Sequence, residues 1–441
     1  MAITNIASYA HLTDEDIAAI GAELDQIYAD IRNDLGERDV RYIKNLIRVQ
    51  RGLEVGGRLA LLIPGKRALK WGGISALALS KIIENLEIGH NTMHGQWDWM
   101  NDPEVHSATW EWDNACPASG WKHSHNFVHH KYTNVIGMDS DVGYGILRVT
   151  RDRPWQPKHL AQPAVNVILA SLFQWAVAFY DVELGRVFSG KKDWSEAKPQ
   201  LIEVIQKSRN QVVKDYLLFP TLAGRRYGEV AKANAMANLI RSVWAYAVIF
   251  CGHFPDDAET FTKEQYKNED HNQWYLRQML GSANFHGGFL LSVLSGNLNY
   301  QIEHHLFPDM PSNRLADAAK KVRDICDRYD LPYNTGSFFE QFLQVQRTLL
   351  KLTLPPQLMA ADKSNAPEVR SDAAFDNHPI IEEVLDPLAH PRKGLRTGLR
   401  LLKKVRPTTK EAFQILLGRR RRGDQMEHLA PNPVESQPLA A

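Results

Sequence analysis

Apolar residues along this chain fall into separate runs that are divided by strongly polar segments. In residues 12–35 they recur at the spacing of one helix face, at Ile17, Ile20, Leu24 and Ile27. Thr13 and Asp16 stand three residues apart at the start of this pattern, as in a capping box. The pattern therefore predicts an amphipathic helix near the N-terminus.

Longer apolar runs raise the question of membrane helices. A straight span needs about 20 apolar residues, so residues 56–64 and 71–83 are each too short. They predict a hairpin of two short or tilted helices, with a buried soluble core as the alternative. Residues 163–180 form the clearest single candidate span. Residues 242–254 reach spanning length only together with the stretch ahead of them, and residues 285–298 are too short to span.

Composition narrows the class of protein. The chain has 441 residues, with 52 Lys and Arg against 51 Asp and Glu, so its net charge of +1 does not indicate a nucleic-acid binder. Hydrophobic residues at 44% and aromatic residues at 9% exclude a disordered chain. A mean hydropathy of −0.36 argues against a protein made mostly of transmembrane helix, but it allows a few spans attached to larger polar regions.

Cysteine usage and the N-terminal segment point to a reducing compartment. Cys116, Cys251 and Cys326 are far apart and form no Cys-x-x-Cys pair, so the sequence supports neither a disulfide framework nor a thiolate metal site. The first residues lack a basic segment followed by an apolar core, which is the pattern of a secretory signal. We therefore expect the start of the chain to lie in the cytoplasm.

The C-terminal part of the sequence changes character after about residue 355. Residues 360–390 are acidic, contain Pro and Ala, and are poor in aromatic residues, so they are typical of a linker. Residues 392–422 combine many Lys and Arg residues with interleaved Leu and Phe. This pattern favours a helix held on anionic lipid headgroups, and a solvated charged tail is the alternative.

Histidine is the residue type that carries the candidate chemistry. Seven of the 17 histidines fall into three short clusters, namely His90 and His94, then His125, His129 and His130, then His304 and His305. Histidines four apart share one face of a helix, so each cluster can direct its imidazoles at one metal ion. Gln301 lies on the same face as the third cluster. Seven imidazoles are enough for two metals, and imidazole suits iron, copper, nickel and zinc alike.

Other known metal sites fit the spacing less well. The sequence has no His-Glu-x-x-His motif, and it has one Glu-x-x-His, from Glu87 to His90, where a ferritin-like di-iron bundle needs two. A facial triad would leave most of the histidines without a role. Several carboxylates stand near the clusters and are either hydrogen-bond partners of metal-bound histidines or ordinary surface acids: Glu87, Asp98, Asp102, Asp139, Asp141 and Glu303.

The three clusters, in this order, resemble the three histidine boxes of the membrane fatty acid desaturases. Residues 81–107, 125–134, 250–256 and 297–315 are similar to bacterial acyl-CoA desaturases of the stearoyl-CoA delta-9 type. The resemblance runs from about residue 35 to residue 355. It implies a mainly α fold, in which membrane helices lie under a cytosolic helical cap that holds a histidine-rich di-iron site.

The resemblance also implies a set of ligands and a domain order. The seven clustered histidines would bind iron, and the family's extra histidine would be His253, with His286 as the rival. Gln301 stands where the commonest pattern has histidine, so it is either a ligand or a residue that orients a water. The order would be an N-terminal helical region (1–50), the membrane desaturase domain (51–355), a linker (356–391) and the basic tail (392–441).

By this resemblance the protein would be an O₂-dependent desaturase of long-chain acyl-CoA or acyl lipid, with position 9 as the candidate position, in the cytoplasmic membrane with its site on the cytosolic side. The sequence has no dinucleotide-binding Gly motif, no ferredoxin cysteine set and no fused haem segment. A separate NAD(P)H-dependent reductase with a ferredoxin-like or flavin carrier is therefore expected. A lipid hydroxylase or ketolase, and a non-catalytic metal-binding membrane protein, are the alternatives. Five tryptophans are candidates for lining an acyl tunnel or for packing: Trp97, Trp99, Trp110, Trp112 and Trp121.

Overall fold

The structure is a computed structural model that describes residues 3–355 and is built almost wholly from helices. The predicted linker (356–391) and basic tail (392–441) lie outside the described residues. The mainly α class expected from the sequence is confirmed.

The described part of the chain contains eighteen α-helices, three π-helical segments, nine short 3-10 helices and two short strands. The α-helices are α1 (Asp14–Asn33), α2 (Glu37–Leu62), α3 (Arg67–Ile82), α4 (Asn91–Met93), α5 (Ala118–Trp121), α6 (His130–Tyr132), α7 (Gln162–Ser171), α8 (Phe173–Tyr180), α9 (Leu184–Phe188), α10 (Trp194–Val212), α11 (Phe219–Leu222), α12 (Tyr227–His253), α13 (Lys263–Tyr266), α14 (His271–Leu280), α15 (Phe289–Leu294), α16 (Gln301–Leu306), α17 (Leu315–Arg328) and α18 (Phe338–Lys351). The π-helical segments are Ile83–His90, Lys122–His129 and Val213–Leu218, and the strands are β1 (Asn284–His286) and β2 (Thr335–Ser337).

Helix α1 begins as the sequence predicts. Thr13 Oγ1 accepts a hydrogen bond from the backbone N–H of Asp16 at 3.1 Å, and the Asp16 carboxylate accepts one from the N–H of Thr13 at 2.9 Å. These two bonds satisfy N–H groups that a helix start leaves free. The apolar face of α1 is buried against α14 and α17, which confirms the predicted amphipathic helix.

Helices α2 and α3 form a hairpin at the predicted place, although α2 has 26 residues and so is not the short helix expected from residues 56–64. Gly57 and Gly73 face each other across it, and a Cβ added to either residue would come within 3.1 Å of the other's carbonyl oxygen. The absence of side chains at these two positions allows the backbones to approach closely. Helix α12 packs on α3, so the hairpin forms one wall around the centre of the protein.

The candidate span at residues 163–180 is bent in the structure. The chain leaves helical geometry at Leu172, and the helical stretches Pro157–Ser171 and Phe173–Phe188 meet at 101°. Each half packs against a different set of helices, α7 on α12 and α18, and α8 on α12 and α10. Tertiary packing of Phe173 and its neighbours therefore overrides a local apolar pattern that would suit a straight span.

Helices with the length and composition of a membrane span are few among residues 3–355. Gly224–His253 passes on both counts, and the bent pair Pro157–Ser171 and Phe173–Phe188 adds a second if it is taken as one span. Residues 285–298, which are too short to span a membrane, contain the end of strand β1 and the six-residue helix α15.

Strands β1 and β2 pair in parallel, with Asn284 opposite Thr335. The Asn284 side chain accepts a hydrogen bond from the backbone N–H of Ile302 at 2.9 Å, and it donates one to Glu303 at 2.9 Å. These bonds fix α16, the helix that carries the third histidine cluster, against the small sheet.

Candidate metal centre

The first two histidine clusters lie on π-helical turns. His90 ends the segment Ile83–His90, and His94 follows one turn later. His125 and His129 lie in the segment Lys122–His129, and His130 follows directly. A π-helix has a wider turn than an α-helix, and such turns occur frequently at functional sites. In both clusters the distorted turn lies at the residues with ligand chemistry.

Eight histidines from four separate segments of the chain meet in the centre of the protein. The ring nitrogens of His90, His94, His125 and His304 lie within 4.8 Å of one another, and so do those of His129, His253 and His305. His130 lies between the two groups, with its ring centroid 4.7 Å from that of His94 and 4.3 Å from that of His305. The arrangement is therefore two adjoining groups of imidazoles.

Burial sets the protonation state of most of these rings. It lowers the pKa of His94, His130, His304 and His305 well below the ordinary histidine value, and the neighbouring imidazoles lower it further. These four side chains are neutral at pH 7, the form in which a ring nitrogen binds a metal.

Many ring nitrogens in the centre have no partner in the protein. Nine buried nitrogens make no hydrogen bond among the described residues: Nε2 of His94, His125, His129 and His305, Nδ1 of His253, and both nitrogens of His130 and His304. Buried polar atoms in native proteins almost always have a partner, and leaving one without costs about 1–3 kcal/mol. Unpartnered, convergent nitrogens of this number fit bound metal ions.

The far side of several rings is held by a hydrogen-bond acceptor. His129 Nδ1 lies 3.0 Å and 3.1 Å from the two carboxylate oxygens of Asp139, and His125 Nδ1 lies 3.3 Å from Asp141. His305 Nδ1 lies 3.0 Å from the side-chain oxygen of Gln278. Acceptors of this kind fix the tautomer and orientation of a metal-binding histidine.

Asp139 also changes the charge state of its histidine. Burial by itself would lower the pKa of His129, but the negative charge of Asp139 and the hydrogen bond to it raise that pKa on balance. The Asp139 side chain is fully buried, with both oxygens accepting backbone N–H groups as well. His129 therefore keeps its Nδ1–H, which donates a hydrogen bond to Asp139, and faces the centre with its Nε2.

The other carboxylates named from the sequence do not contact the rings. Glu87 accepts hydrogen bonds from Tyr42, Asn297 and Ser312, and Glu303 accepts them from Asn284 and Tyr333. Asp98 accepts hydrogen bonds from the backbone and hydroxyl of Ser107, and Asp102 pairs with Lys44. Glu87 and Glu303 hold the helices that carry the histidines.

The structure separates the two rival histidines and places Gln301. His253, the last residue of α12, belongs to the second group of rings, and His286 lies exposed on β1. Gln301 Nε2 lies 3.0 Å from His253 Nε2, and its side-chain oxygen has no partner among the described residues. That oxygen is free to face the centre.

Three partners of the rings were not predicted from the sequence. The side-chain oxygen of Asn91 accepts a hydrogen bond from His90 Nδ1 at 2.9 Å. Gln278 on α14 and the Thr133 hydroxyl lie 3.0 Å and 3.3 Å from His305 Nδ1. Asn91 is adjacent to a clustered histidine and could have been considered on that ground. Gln278 lies 27 residues before His305 in a helix without any metal-ligand pattern, so only the fold brings it to the site.

A narrow cavity adjoins the histidines. It has about 70 Å³ of space open to the centre of a water molecule, and His90, His125, His253 and Gln301 form part of its lining. Much of the rest of the wall is apolar or aromatic, from Leu86, Trp112, Trp121, Tyr144, Phe173, Val177, Ala245, Ile249 and Leu298. Two of the five candidate tryptophans thus line it, whereas Trp97 packs in a core with Ile43 and Val105.

Comparison with known proteins identifies the family to which the chain belongs. The family model for fatty acid desaturase matches residues 68–337, a region that contains all eight histidines and Gln301. The chain belongs to the fatty acid desaturase family. This desaturase is 52% identical over 403 residues to the NADPH-dependent stearoyl-CoA 9-desaturase of Mycobacterium tuberculosis, an alignment that covers 90% of this chain and 94% of that protein.

More distant relatives of the desaturase share the central region. The acyl-lipid (8-3)-desaturase of Mortierella alpina is 24% identical over 288 residues, which is 62% of this chain and 63% of that protein. The sn-1 linoleoyl-lipid 6-desaturase of Synechocystis is 21% identical over 279 residues, which is 61% of this chain and 76% of that protein. The resemblance inferred from the histidine boxes is therefore confirmed at the level of the family.

Proposed function

We propose that this desaturase binds two iron ions with its clustered histidines and introduces a double bond at position 9 of a long-chain acyl-CoA such as stearoyl-CoA. The observation that carries the proposal is the meeting of eight histidines, with unpartnered nitrogens, at the side of a narrow cavity. The proposed ligands are His90, His94, His125, His129, His130, His253, His304 and His305.

Iron bound there would supply the oxidising chemistry, with O₂ as co-substrate, that no amino-acid side chain provides. The chain's own residues would do three things. The buried helices would hold the imidazoles in fixed positions, with Asp139, Asp141 and Gln278 orienting three of them. The aromatic walls would exclude water from the reacting carbons. The cavity would place one pair of methylene groups against the centre.

The substrate assignment rests on the cavity and on the relatives. A narrow apolar cavity beside the histidines suits a single alkyl chain. The relative at 52% identity is named for stearoyl-CoA and for position 9, whereas the relatives at 24% and 21% identity are named for acyl lipids. We therefore favour a coenzyme A thioester over an acyl lipid, and desaturation over the hydroxylase, ketolase and non-catalytic alternatives.

We also propose that electrons reach the site from a separate reductase. The relative's name includes NADPH dependence, whereas this sequence contains no nucleotide, flavin, haem or iron–sulfur motif of its own. An NADPH-oxidising protein with a ferredoxin-like or flavin carrier fits both facts.

The site is proposed to lie on the cytosolic side of the cytoplasmic membrane, with residues 51–355 as the membrane domain. Helix α12 meets the length and composition of a span, and its outward side chains Met236, Leu239, Ile240 and Val243 are all exposed in the isolated chain. Bilayer lipid is the environment in which such a face is stable. His253 ends this helix, so the candidate centre would lie at the membrane boundary.

Fatty acid profiles of a host that makes this protein test the proposal. We expect the wild-type chain to convert stearoyl chains into the product with a double bond at carbon 9. The His304→Ala variant should give no such product, because His304 is fully buried within the first group of rings. His286→Ala is the matched control, since His286 is exposed, and it should retain activity. A hydroxylated product, or equal activity of the His304→Ala variant, would contradict the proposal.

A further inference from the structure

The cavity follows one face of the C-terminal half of helix α12. Arg241, Ala245, Ile249 and His253 are spaced four residues apart on this helix, and all of them line the cavity. Twelve residues of α-helix correspond to about 18 Å. His253 is at the histidine centre, so Arg241 marks the opposite end of the cavity.

Arg241 is a buried cation with unused hydrogen-bond donors. Its side chain is 1% exposed, and one guanidinium nitrogen lies 3.4 Å from the side-chain oxygen of Asn85. The other two nitrogens, Nε and Nη2, have no partner among residues 3–355. Two other buried cations, Arg58 and Lys81, do have a carboxylate partner. Both form an ion pair with Asp215, at 2.8 Å and 2.9 Å.

A guanidinium group stays charged at any physiological pH and carries donors only. Leaving such donors unpaired in a buried place is costly, so the space beside Arg241 favours a hydrogen-bond acceptor over a hydrocarbon group. The cavity exceeds the roughly 10–15 Å³ that one water needs. An ionisable residue at this depth of a membrane helix is also a mark of function.

We propose that Arg241 and Asn85 form a polar subsite at the end of the acyl cavity, which takes a hydrogen-bond-accepting oxygen. When a chain ending in a methyl group is bound, the oxygen is that of water. When a chain carries a hydroxyl group on its last carbon, that hydroxyl replaces the water. This inference rests on the proposed function, since it takes the cavity to be the site of the acyl chain.

The subsite has a consequence for chain length. A methyl-ended chain long enough to reach Arg241 must displace the water and leave the guanidinium without an acceptor. A chain of the same length with a terminal hydroxyl supplies the acceptor itself. Shorter chains end beside Ala245 and Ile249 and do not reach the donors of Arg241, so a hydroxyl group on such a chain loses its water without gaining the guanidinium and is disfavoured.

The wild-type protein in its own membranes, supplied with NADPH and its electron donor, provides the first test. Saturated acyl-CoA substrates from 16 to roughly 22 carbons would be compared with their terminally hydroxylated counterparts, and the rates of desaturation would be measured. We expect the hydroxylated chain to be the poorer substrate at short lengths and the better one, by about tenfold, at the length that reaches Arg241. A hydroxylated chain that is poorer at every length would overturn the inference.

Variants at Arg241 provide the second test. Arg241→Met removes the donors with little change in length, so the advantage of the hydroxylated chain should disappear and longer methyl-ended chains should be accepted. Arg241→Lys should keep the wild-type pattern. Ile240→Met is the matched control, because Ile240 is 39% exposed on the outer side of the same helix.

The outcomes of the two tests separate the inference from the proposed function. If Arg241→Met folds, binds iron and keeps the wild-type order of substrates, the polar subsite is wrong while the desaturase assignment stands. If Arg241→Met fails to accumulate, the comparison in the wild-type protein still decides. A wild-type protein that desaturates no chain of either series would instead contradict the proposed function itself.

Discussion

Asp139 offers a sharp test of how the candidate centre is held. Its two oxygens lie 3.0 Å and 3.1 Å from His129 Nδ1, and each also accepts a backbone N–H at 2.8 Å, from Asn134 and from Asp141. An asparagine at this position would turn an N–H₂ group toward one of these donors and would remove the negative charge beside the imidazole. We therefore choose Asp139→Asn as the perturbation.

The size of the effect follows from the contacts that are lost. A hydrogen bond to a charged group contributes about 1.5–3 kcal/mol, and each 1.4 kcal/mol corresponds to about a factor of ten in affinity. Partners of metal-bound histidines typically contribute about 10- to 100-fold to affinity or activity. The two estimates agree, so Asp139→Asn should weaken iron binding by about 10- to 100-fold and lower turnover with it.

Iron retention during dialysis against graded chelator measures this effect directly. Asp98→Asn is the matched control, because the Asp98 carboxylate likewise accepts a backbone N–H, from Ser107 at 2.7 Å, but has no contact with the clustered rings. The control should hold iron as the wild type does. If Asp139→Asn retains iron equally well, or if both variants lose it alike, the role given to Asp139 is refuted.

Three further predictions concern the ligands, the electron supply and the helix hairpin. His253→Ala should lose iron and all desaturation, because His253 lies within the second group of rings. His286→Ala should keep both, because His286 is exposed. If His286→Ala loses iron and His253→Ala retains it, the assignment of His253 as the ligand is wrong. Purified protein with NADPH, O₂ and stearoyl-CoA should be inactive until a reductase and carrier are added, and turnover without them would reveal an overlooked cofactor site. Gly73→Leu should destabilise the protein by about 1–3 kcal/mol through overpacking against Leu61, seen as a lower unfolding temperature, while Gly72→Leu, beside open space, should not.

Local sequence patterns were sufficient where a few neighbouring residues determine the structure. Thr13 and Asp16 cap α1 as their spacing predicts, and the break between residues 56–64 and 71–83 gives the expected helix hairpin. The three histidine boxes led to the right family because each box is a short segment with its own spacing.

Features that depend on contacts between distant parts of the chain could not be predicted from the sequence. Nothing in residues 163–180 marks the bend at Leu172, which arises from the different partners of α7 and α8. Gln278 reaches His305 only through the fold. The π-helical turns at His90 and His125 could not be predicted from spacing either, since a separation of four residues is compatible with both kinds of helix.

The central claim, a histidine-bound pair of iron ions that oxidises an acyl chain, is tested most directly by metal analysis of purified, active protein. The account predicts close to two irons per chain, and activity that rises and falls with iron content when metal is removed and restored. His304→Ala should lower both together. Protein that contains zinc and no iron, yet desaturates stearoyl-CoA at the normal rate, would contradict the account.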